Sequence, residues 1–144
     1  MKAYRVLHRL APAADLLARL YVAWVFFKSG LVKIQSWDTT LLLFENEYRV
    51  PLLPSELAAW LGTGVELVVP AFLALGLGGR LAAAALFLFN IVAVISYPEL
   101  EGPGLLQHYV WGLLLLVTMA HGPGAWSIDR LLMRFVPFER AAVS

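Results

Sequence analysis

Four apolar segments recur along the chain, and their lengths predict helices that cross a membrane. The predicted spans are 16–34, 57–77, 81–97 and 105–120. A helix rises about 1.5 Å per residue, so about 20 residues cross a hydrocarbon core of about 30 Å. The third and fourth segments are short for a full crossing, and we expect aromatic side chains to extend them into the interface: Tyr97, Tyr109 and Trp111. The pattern predicts an all-α integral membrane protein, an antiparallel four-helix bundle.

The polar connections predict two further helices. Glycine-rich or proline-containing turns separate the second, third and fourth spans, so consecutive helices are expected to be antiparallel neighbours. After the first span, the stretch from Asp38 to Tyr48 has an N-cap residue and an apolar centre, which predicts a short helix on the membrane surface. Ser55 is expected to cap the second span. The stretch from Ser127 to Phe138 mixes arginines with apolar residues, as an amphipathic surface helix does.

Composition supports a lipid environment and excludes several function classes. The chain has 144 residues, of which 60% are hydrophobic and 15% charged, so we expect one domain over residues 1–144 in contact with membrane lipids. Its net charge is +1 and its basic residues form no patch, which argues against a nucleic-acid partner. It has no cysteine, so disulfides, thiol catalysis and iron–sulfur ligation through the chain are excluded.

Cations in the connections predict the orientation. One loop cation, Arg49, falls on one side, and the others collect on the opposite side: Lys2, Arg5, Arg9, Arg80, Arg130, Arg134 and Arg140. By the positive-inside rule, both ends of the chain are expected in the cytoplasm. The first apolar stretch is expected to be retained rather than cleaved, because it contains Lys28 and Lys33 and lacks a small-residue cleavage site.

Two ionisable residues inside predicted spans are the first candidates for a site. Such a residue costs about 2.5 to 3.5 kcal/mol at the bilayer centre, so it usually faces the bundle interior with a partner. Lys28 in the first span and Glu66 in the second are expected to pair in the outer half of the membrane. Pro70 has no N–H and would free the Glu66 carbonyl, adding a polar notch. Lys33 is expected to reach the headgroups from the helix end.

Other polar and aromatic residues could join the same pocket. The candidate ligand-binding set is Lys28, Glu66, His108, Trp24, Asn90 and Trp111. The alternative is that these residues only hold helices together, at about 0.6 to 2 kcal/mol each, with His108 as an interfacial anchor. No metal site is predicted. On the opposite side, Arg19, Arg80 and Asp129 are expected to form a salt-bridge clasp that fixes how the helices associate.

Several short segments, in order and spacing, resemble the DoxX family of small bacterial four-helix membrane proteins. The resemblance runs from about Arg19 to Asp129, and its segments are 27–33, Glu66, Gly76 with Arg80, 122–124 and 127–129. The segments 90–98 and 107–108 resemble the HvfX subgroup, which accompanies enzymes that modify small metal-binding peptides. The resemblance implies a bacterial inner membrane and a role in redox or metal homeostasis. It implies no shared reaction, because some members resemble a subunit of a thiosulfate:quinone oxidoreductase and others are linked to oxidative stress.

Three functions remain open at this point. The first is a redox-associated membrane subunit that binds a quinone-like lipophilic molecule, in which aromatic rings pack on the ligand and Lys28, Glu66 or His108 bonds its carbonyl. The second is a non-catalytic anchor or export helper for a metal-binding peptide or for its modifying enzymes. The protein partners expected are a small peptide or oxidoreductase proteins. The third is a small transporter gated by the Lys–Glu pair. The sequence leaves open whether the chain is an enzyme and whether it forms homo-oligomers.

Overall fold

The computed structural model describes the backbone of residues 2–135 and the side chains of residues 10–135. These residues form six helices and no strand: α1 (Lys2–Gln35), α2 (Trp37–Asn46), α3 (Ser55–Leu75), α4 (Gly79–Ser96), α5 (Gly102–His121) and α6 (Ile128–Phe135). Four helical segments are long and apolar enough to cross a membrane: Leu10–Gln35, Ser55–Leu75, Gly79–Ser96 and Gly102–His121. The predicted all-α, four-span membrane fold is confirmed.

The helix boundaries differ from the predicted ones where local propensity outweighs a single breaker. The first helix begins well before residue 16 and continues through Pro12, which leucine and alanine residues flank. α2 covers Trp37–Asn46, and Ser36 rather than Asp38 occupies its N-cap position. Pro54 occupies the N-cap position of α3, and Ser55, the predicted cap, is the first residue of the helix. Residues 136–138 of the predicted C-terminal helix lie outside the described residues.

The four long helices form a closed ring around one apolar core. α1 contacts α3 and α5, and α4 contacts the same two helices from the other side. Neighbouring helices are antiparallel: Gly30 of α1 lies beside Glu66, whereas Arg19 lies beside Gly76 at the far end of α3. The core side chains come from all four helices: Val22, Phe26, Leu73, Leu86 and Leu115.

One end of the bundle carries α2 and the connection after α4, and we call it the α2 end. α2 packs on α1 and α3 through its buried residues Thr40 and Phe44. The Thr40 hydroxyl donates a hydrogen bond to the Lys33 carbonyl at 2.9 Å. The backbone N–H of Arg49 donates to the Ser96 carbonyl at 2.7 Å, which ties the α2–α3 connection to the end of α4. α2 therefore packs across the end of the bundle.

The opposite end carries the α3–α4 turn and α6, and we call it the α6 end. Asp129 accepts hydrogen bonds from the backbone N–H groups of Gly78 at 2.7 Å and Gly79 at 2.9 Å. The buried Arg19 guanidinium donates to the carbonyl oxygens of Pro123 and Trp126.

These contacts differ from the expected salt-bridge clasp of Arg19, Arg80 and Asp129. Among the described residues no ion pair joins the three, and Arg80 instead lies against Gly122. Arg19 and Asp129 bind backbone groups, because the turns at this end expose carbonyls and N–H groups that need partners. The α6 end is fastened by side chains bonded to turns.

Candidate ligand pocket at the α2 end

A cavity of about 270 Å³ lies inside the α2 end of the bundle. Its walls come from α1 to α5 and from the connections at this end. Charged or polar side chains of the wall are Ser29, Lys33, Glu66, Ser96 and His108, and the aromatic ones are Phe44, Tyr48, Phe89 and Tyr97. A mostly apolar cavity with a few convergent polar groups is the usual form of a small-molecule site.

The polar wall on the α1–α3 side is a closed triad of side chains. Lys33 Nζ lies 2.6 Å from Glu66 Oε2 and 2.8 Å from Ser29 Oγ. The Ser29 hydroxyl donates to Glu66 Oε1 at 3.1 Å. An ammonium group has three N–H donors, and two are used here. One N–H of Lys33 therefore remains for a molecule in the cavity.

The partner of Glu66 is Lys33. The sequence-based prediction of a Lys28–Glu66 pair is therefore wrong. Tyr21, Trp24 and Lys28 do share one helix face, but that face is exposed on the outside of the bundle. Five residues advance a helix by about 500°, so Lys28 and Lys33 point about 140° apart and only one of them can reach Glu66. Lys28 and Trp24 do not line the cavity. Lys33 was expected to reach the lipid headgroups. It binds Glu66 instead.

On the α4–α5 side, Asn90 holds His108 through a reciprocal pair of hydrogen bonds. The buried Asn90 side-chain amide donates to the His108 carbonyl at 2.9 Å, and its Oδ1 lies 2.7 Å from His108 Nδ1. Since the amide nitrogen is committed to a carbonyl, the Asn90 oxygen faces the ring, and Nδ1 is the donor. In a neutral imidazole the other nitrogen, Nε2, is then an acceptor. The structure assigns Asn90 to positioning His108, which itself lines the cavity.

Trp111 supports the histidine from the core. Its ring packs edge-on against His108 at a centroid distance of 4.8 Å and against Phe26 at 5.8 Å. Trp111 does not line the cavity, so it contacts a lining residue rather than a ligand. Among the described residues, no group of three or more histidine, aspartate or glutamate side chains could hold a metal ion.

Aromatic rings and one unpartnered hydroxyl surround the cavity beneath α2. The Tyr48 ring packs edge-on between Phe44 at 4.9 Å and Tyr97 at 5.4 Å. Burial, followed by the charge of Glu66, raises the pKa of Tyr48 above its ordinary value, so its phenol stays neutral. The Ser96 hydroxyl is buried and has no hydrogen-bond partner in the part of the chain that the structure describes. A buried hydroxyl of this kind is costly unless something bonds it.

The cavity reaches the surface of the bundle at the lining residues that remain exposed. Leu61 of α3 and Val92 of α4 line it while remaining 50% and 38% exposed on the outside of the bundle. Leu53, in the connection before α3, is the third exposed lining residue. Both helices are apolar enough to span a membrane, so the surface beside Leu61 and Val92 meets lipid chains. The cavity therefore reaches the surface in part on the outer faces of two candidate membrane spans.

Comparison with known proteins places this fold in a family. The model of the family described as DoxX matches residues 14–98, more than half of the chain. The chain belongs to the DoxX family. A protein of Haemophilus influenzae, described as an uncharacterized protein, is 31% identical to this DoxX chain over 133 residues, covering 85% of each. No solved structure matches the chain.

The DoxX match divides the pocket residues into two groups. It includes the triad residues of α1 and α3, together with Asn90 and Ser96, whereas His108 lies beyond its last residue. Sequence reasoning missed Ser29, Lys33 and Ser96 as pocket residues. The spacing of Ser29 and Lys33, four residues apart on one helix face, is a signal that could have identified the first two. Nothing in the sequence marks Ser96, which depends on how α4 packs.

Proposed function

We propose that this DoxX protein binds a lipid-soluble small molecule of the quinone class in the pocket at its α2 end. The observation that supports the proposal best is a cavity with free hydrogen-bonding groups whose exposed lining residues Leu61 and Val92 lie on two candidate membrane spans. A ligand that enters from the bilayer must be apolar over most of its surface, whereas the Lys33 and His108 side of the wall selects for polar atoms on one part of it.

The chemistry of the wall fits a ring that carries oxygen atoms. The remaining N–H of Lys33 can donate to a quinone carbonyl, and His108 Nε2 can accept from the hydroxyl of the reduced form. Aromatic side chains such as Phe89 and Tyr97 can pack against the ring. A hydrocarbon tail would leave between Leu61 and Val92. The volume suits the ring of such a molecule and not its tail, which the lateral opening accommodates.

The role we assign to this binding is in redox or metal homeostasis, as the family resemblance suggests. The pocket residues bind and orient the ligand. They are assigned no part in electron transfer. In this form the protein is the membrane component of a system whose enzymes or peptide substrates are separate chains.

The deciding experiment is native mass spectrometry with lipid extraction on gently purified protein. Ala93 lines the cavity, and Ala93→Phe is designed to fill it, whereas Ala85→Phe places the same ring on the exposed face of the same helix. We expect a stoichiometric ligand in the wild type and in Ala85→Phe and its loss in Ala93→Phe. Wild-type protein that is empty, with added ubiquinone failing to bind, would overturn the proposal and favour the anchor or export-helper role.

We also propose that the α6 end faces the cytoplasm of a bacterial inner membrane. Arg80 in the first turn of α4 and Arg130 and Arg134 in α6 lie at this end, whereas Arg49 in the α2–α3 connection lies at the other end. A reporter that is active only in the periplasm, fused to the C-terminus, should be inactive. Activity of that fusion would show the opposite orientation and would leave the proposed pocket unaffected.

A further inference from the structure

A second cavity lies at the α6 end, far from the pocket, and has different chemistry. It is a groove of about 780 Å³ between the start of α4, the end of α5 and α6. Its polar residues include Arg80, His121, Asp129 and Arg130, and its apolar residues include Leu81, Leu132 and Met133. Nothing in the proposed function uses this groove.

The two arginines are available to an anion. Among the described residues, neither Arg80 nor Arg130 lies within ion-pair distance of a carboxylate. The acid in the groove is already engaged, because both oxygens of Asp129 accept hydrogen bonds from backbone N–H groups of the α3–α4 turn. The Arg80 guanidinium lies against Gly122 at the wall of the groove, where an added Cβ would lie 3.3 Å from its Nε. Arginine binds phosphate oxygens with several donors in a fixed fork.

The apolar side chains of the groove are also exposed at the protein surface. Leu81 is 79% exposed, Met133 58% and Leu132 47%. They lie next to the arginines at the level where two membrane-spanning helices end, which is the boundary between headgroups and acyl chains. A free inorganic anion would bond the arginines and leave these side chains uncovered. An amphiphile with an anionic head would cover both parts.

We propose that the groove at the α6 end is a binding site for an anionic phospholipid. The phosphate diester lies between Arg80 and Arg130, and the acyl chains run along Leu81, Leu132 and Met133. Such a lipid would bridge α6 to the first turn of α4, so α6 would be held to the bundle by lipid as well as by Asp129.

The test titrates phosphatidylglycerol into detergent-purified protein and counts bound lipids by native mass spectrometry, with phosphatidylcholine and inorganic phosphate in parallel. Arg134 lies on the same helix as Arg130 and does not line the groove, so Arg134→Gln is the matched control. We expect Arg80→Gln and Arg130→Gln each to lower the affinity for phosphatidylglycerol about fivefold. This is the equivalent of the ~1 kcal/mol that one cation contributes at an anionic surface. Arg134→Gln should leave its affinity unchanged.

Three results would overturn the proposal. Equal weakening by Arg134→Gln would mean a diffuse surface charge effect without a site. Equal binding of phosphatidylcholine would remove the role of net negative charge. Displacement of the lipid by inorganic phosphate alone, at concentrations that saturate the arginines, would make the groove a phosphate site and not a lipid site. Arg130→Gln keeps the test informative if Arg80→Gln loosens the α4 turn, which the thermal unfolding midpoint of each variant reports.

Discussion

Lys33 and Glu66 form an ion pair across the α1–α3 interface, with 2.6 Å between Nζ and Oε2 and side chains only 14% and 7% exposed. Removing one member of a buried pair leaves the other charge without a partner, at a cost of about 3 kcal/mol. We expect Lys33→Met and Glu66→Gln each to lower the free energy of unfolding by this order. The double variant should lose much less than the sum, because no lone charge remains.

A denaturant titration of the detergent-solubilised protein measures all three variants. Lys28→Met is the control: Lys28 lies one turn and a half earlier on the same helix and is exposed, so its removal should leave stability nearly unchanged. Strict additivity of the two single losses would show that the pair does not act as a unit.

Gly30 is a point of close approach between α1 and α3. A Cβ built there would lie 2.9 Å from Leu67 Cγ and 3.1 Å from Glu66 Cβ, so Gly30→Ala must displace one helix or the Glu66 side chain. We expect a loss of about 1 to 3 kcal/mol, the usual cost of overpacking. The matched variant Gly64→Ala, which adds a methyl group where no atom lies within 4 Å, should be neutral or gain up to about 1 kcal/mol in helix propensity. A Gly30→Ala protein as stable as Gly64→Ala would contradict the close contact.

The lateral opening of the pocket can be probed with spin labels, because the chain has no cysteine of its own. Spin labels on Leu61→Cys and Val92→Cys in liposomes should relax faster when oxygen is added, because oxygen partitions into lipid. They should respond weakly to a water-soluble nickel chelate. Leu52→Cys in the α2–α3 connection, which is fully exposed, should respond to the chelate. A strong response of the Leu61→Cys label to the chelate would mean that the mouth opens to water.

Occupancy should change the same labels. Added ubiquinone is expected to slow the motion of the labels at 61 and 92, because the tail passes between them. A label on Leu113→Cys, on the exposed face of α5 and away from the opening, should keep its spectrum. Slowing at all three positions would report a change in the bilayer and not binding in the pocket.

Tyr48 should make stability fall at alkaline pH. Burial, followed by the charge of Glu66, raises its pKa in the folded protein, so the unfolded chain loses the phenol proton first. Stability is then unaffected below the ordinary tyrosine pKa of about 10 and decreases as the pH rises through the raised value. The effect is measured as the difference in thermal midpoint between wild type and Tyr48→Phe from about pH 8 to pH 11. The comparison is needed because ordinary tyrosine and lysine side chains also titrate near pH 10 in both proteins. A difference between the two that does not change with pH would contradict the assignment.

The spans and the inward position of Glu66 were predictable because each follows from local physics. Length and hydropathy fix which segments cross the membrane, and glycine and proline fix where they stop. A carboxylate in mid-span is too costly to face lipid, so Glu66 had to lie inside the bundle. Asn90 and His108 fall near each other because α4 and α5 are antiparallel neighbours across a short turn.

The choice between Lys28 and Lys33 could not be made in the same way. Both are compatible with the helical pattern, and which face of α1 turns inward depends on close packing such as that of Gly30 against Leu67. The contacts of Arg19 were also out of reach, since its partners are carbonyl oxygens of an irregular segment more than 100 residues later. Tertiary packing, and not propensity, determines such pairings.

The contacts of Arg19 set an order for biogenesis. Arg19 is 2% exposed, and the acceptors of its guanidinium belong to Pro123 and Trp126, which the ribosome reaches only after all four spans have been made. Until then the first helix carries a charge without these acceptors, and the α3–α4 turn lacks Asp129 as well. The contacts that fasten this end of the bundle can therefore form only after the segment from Pro123 to Asp129 has been translated.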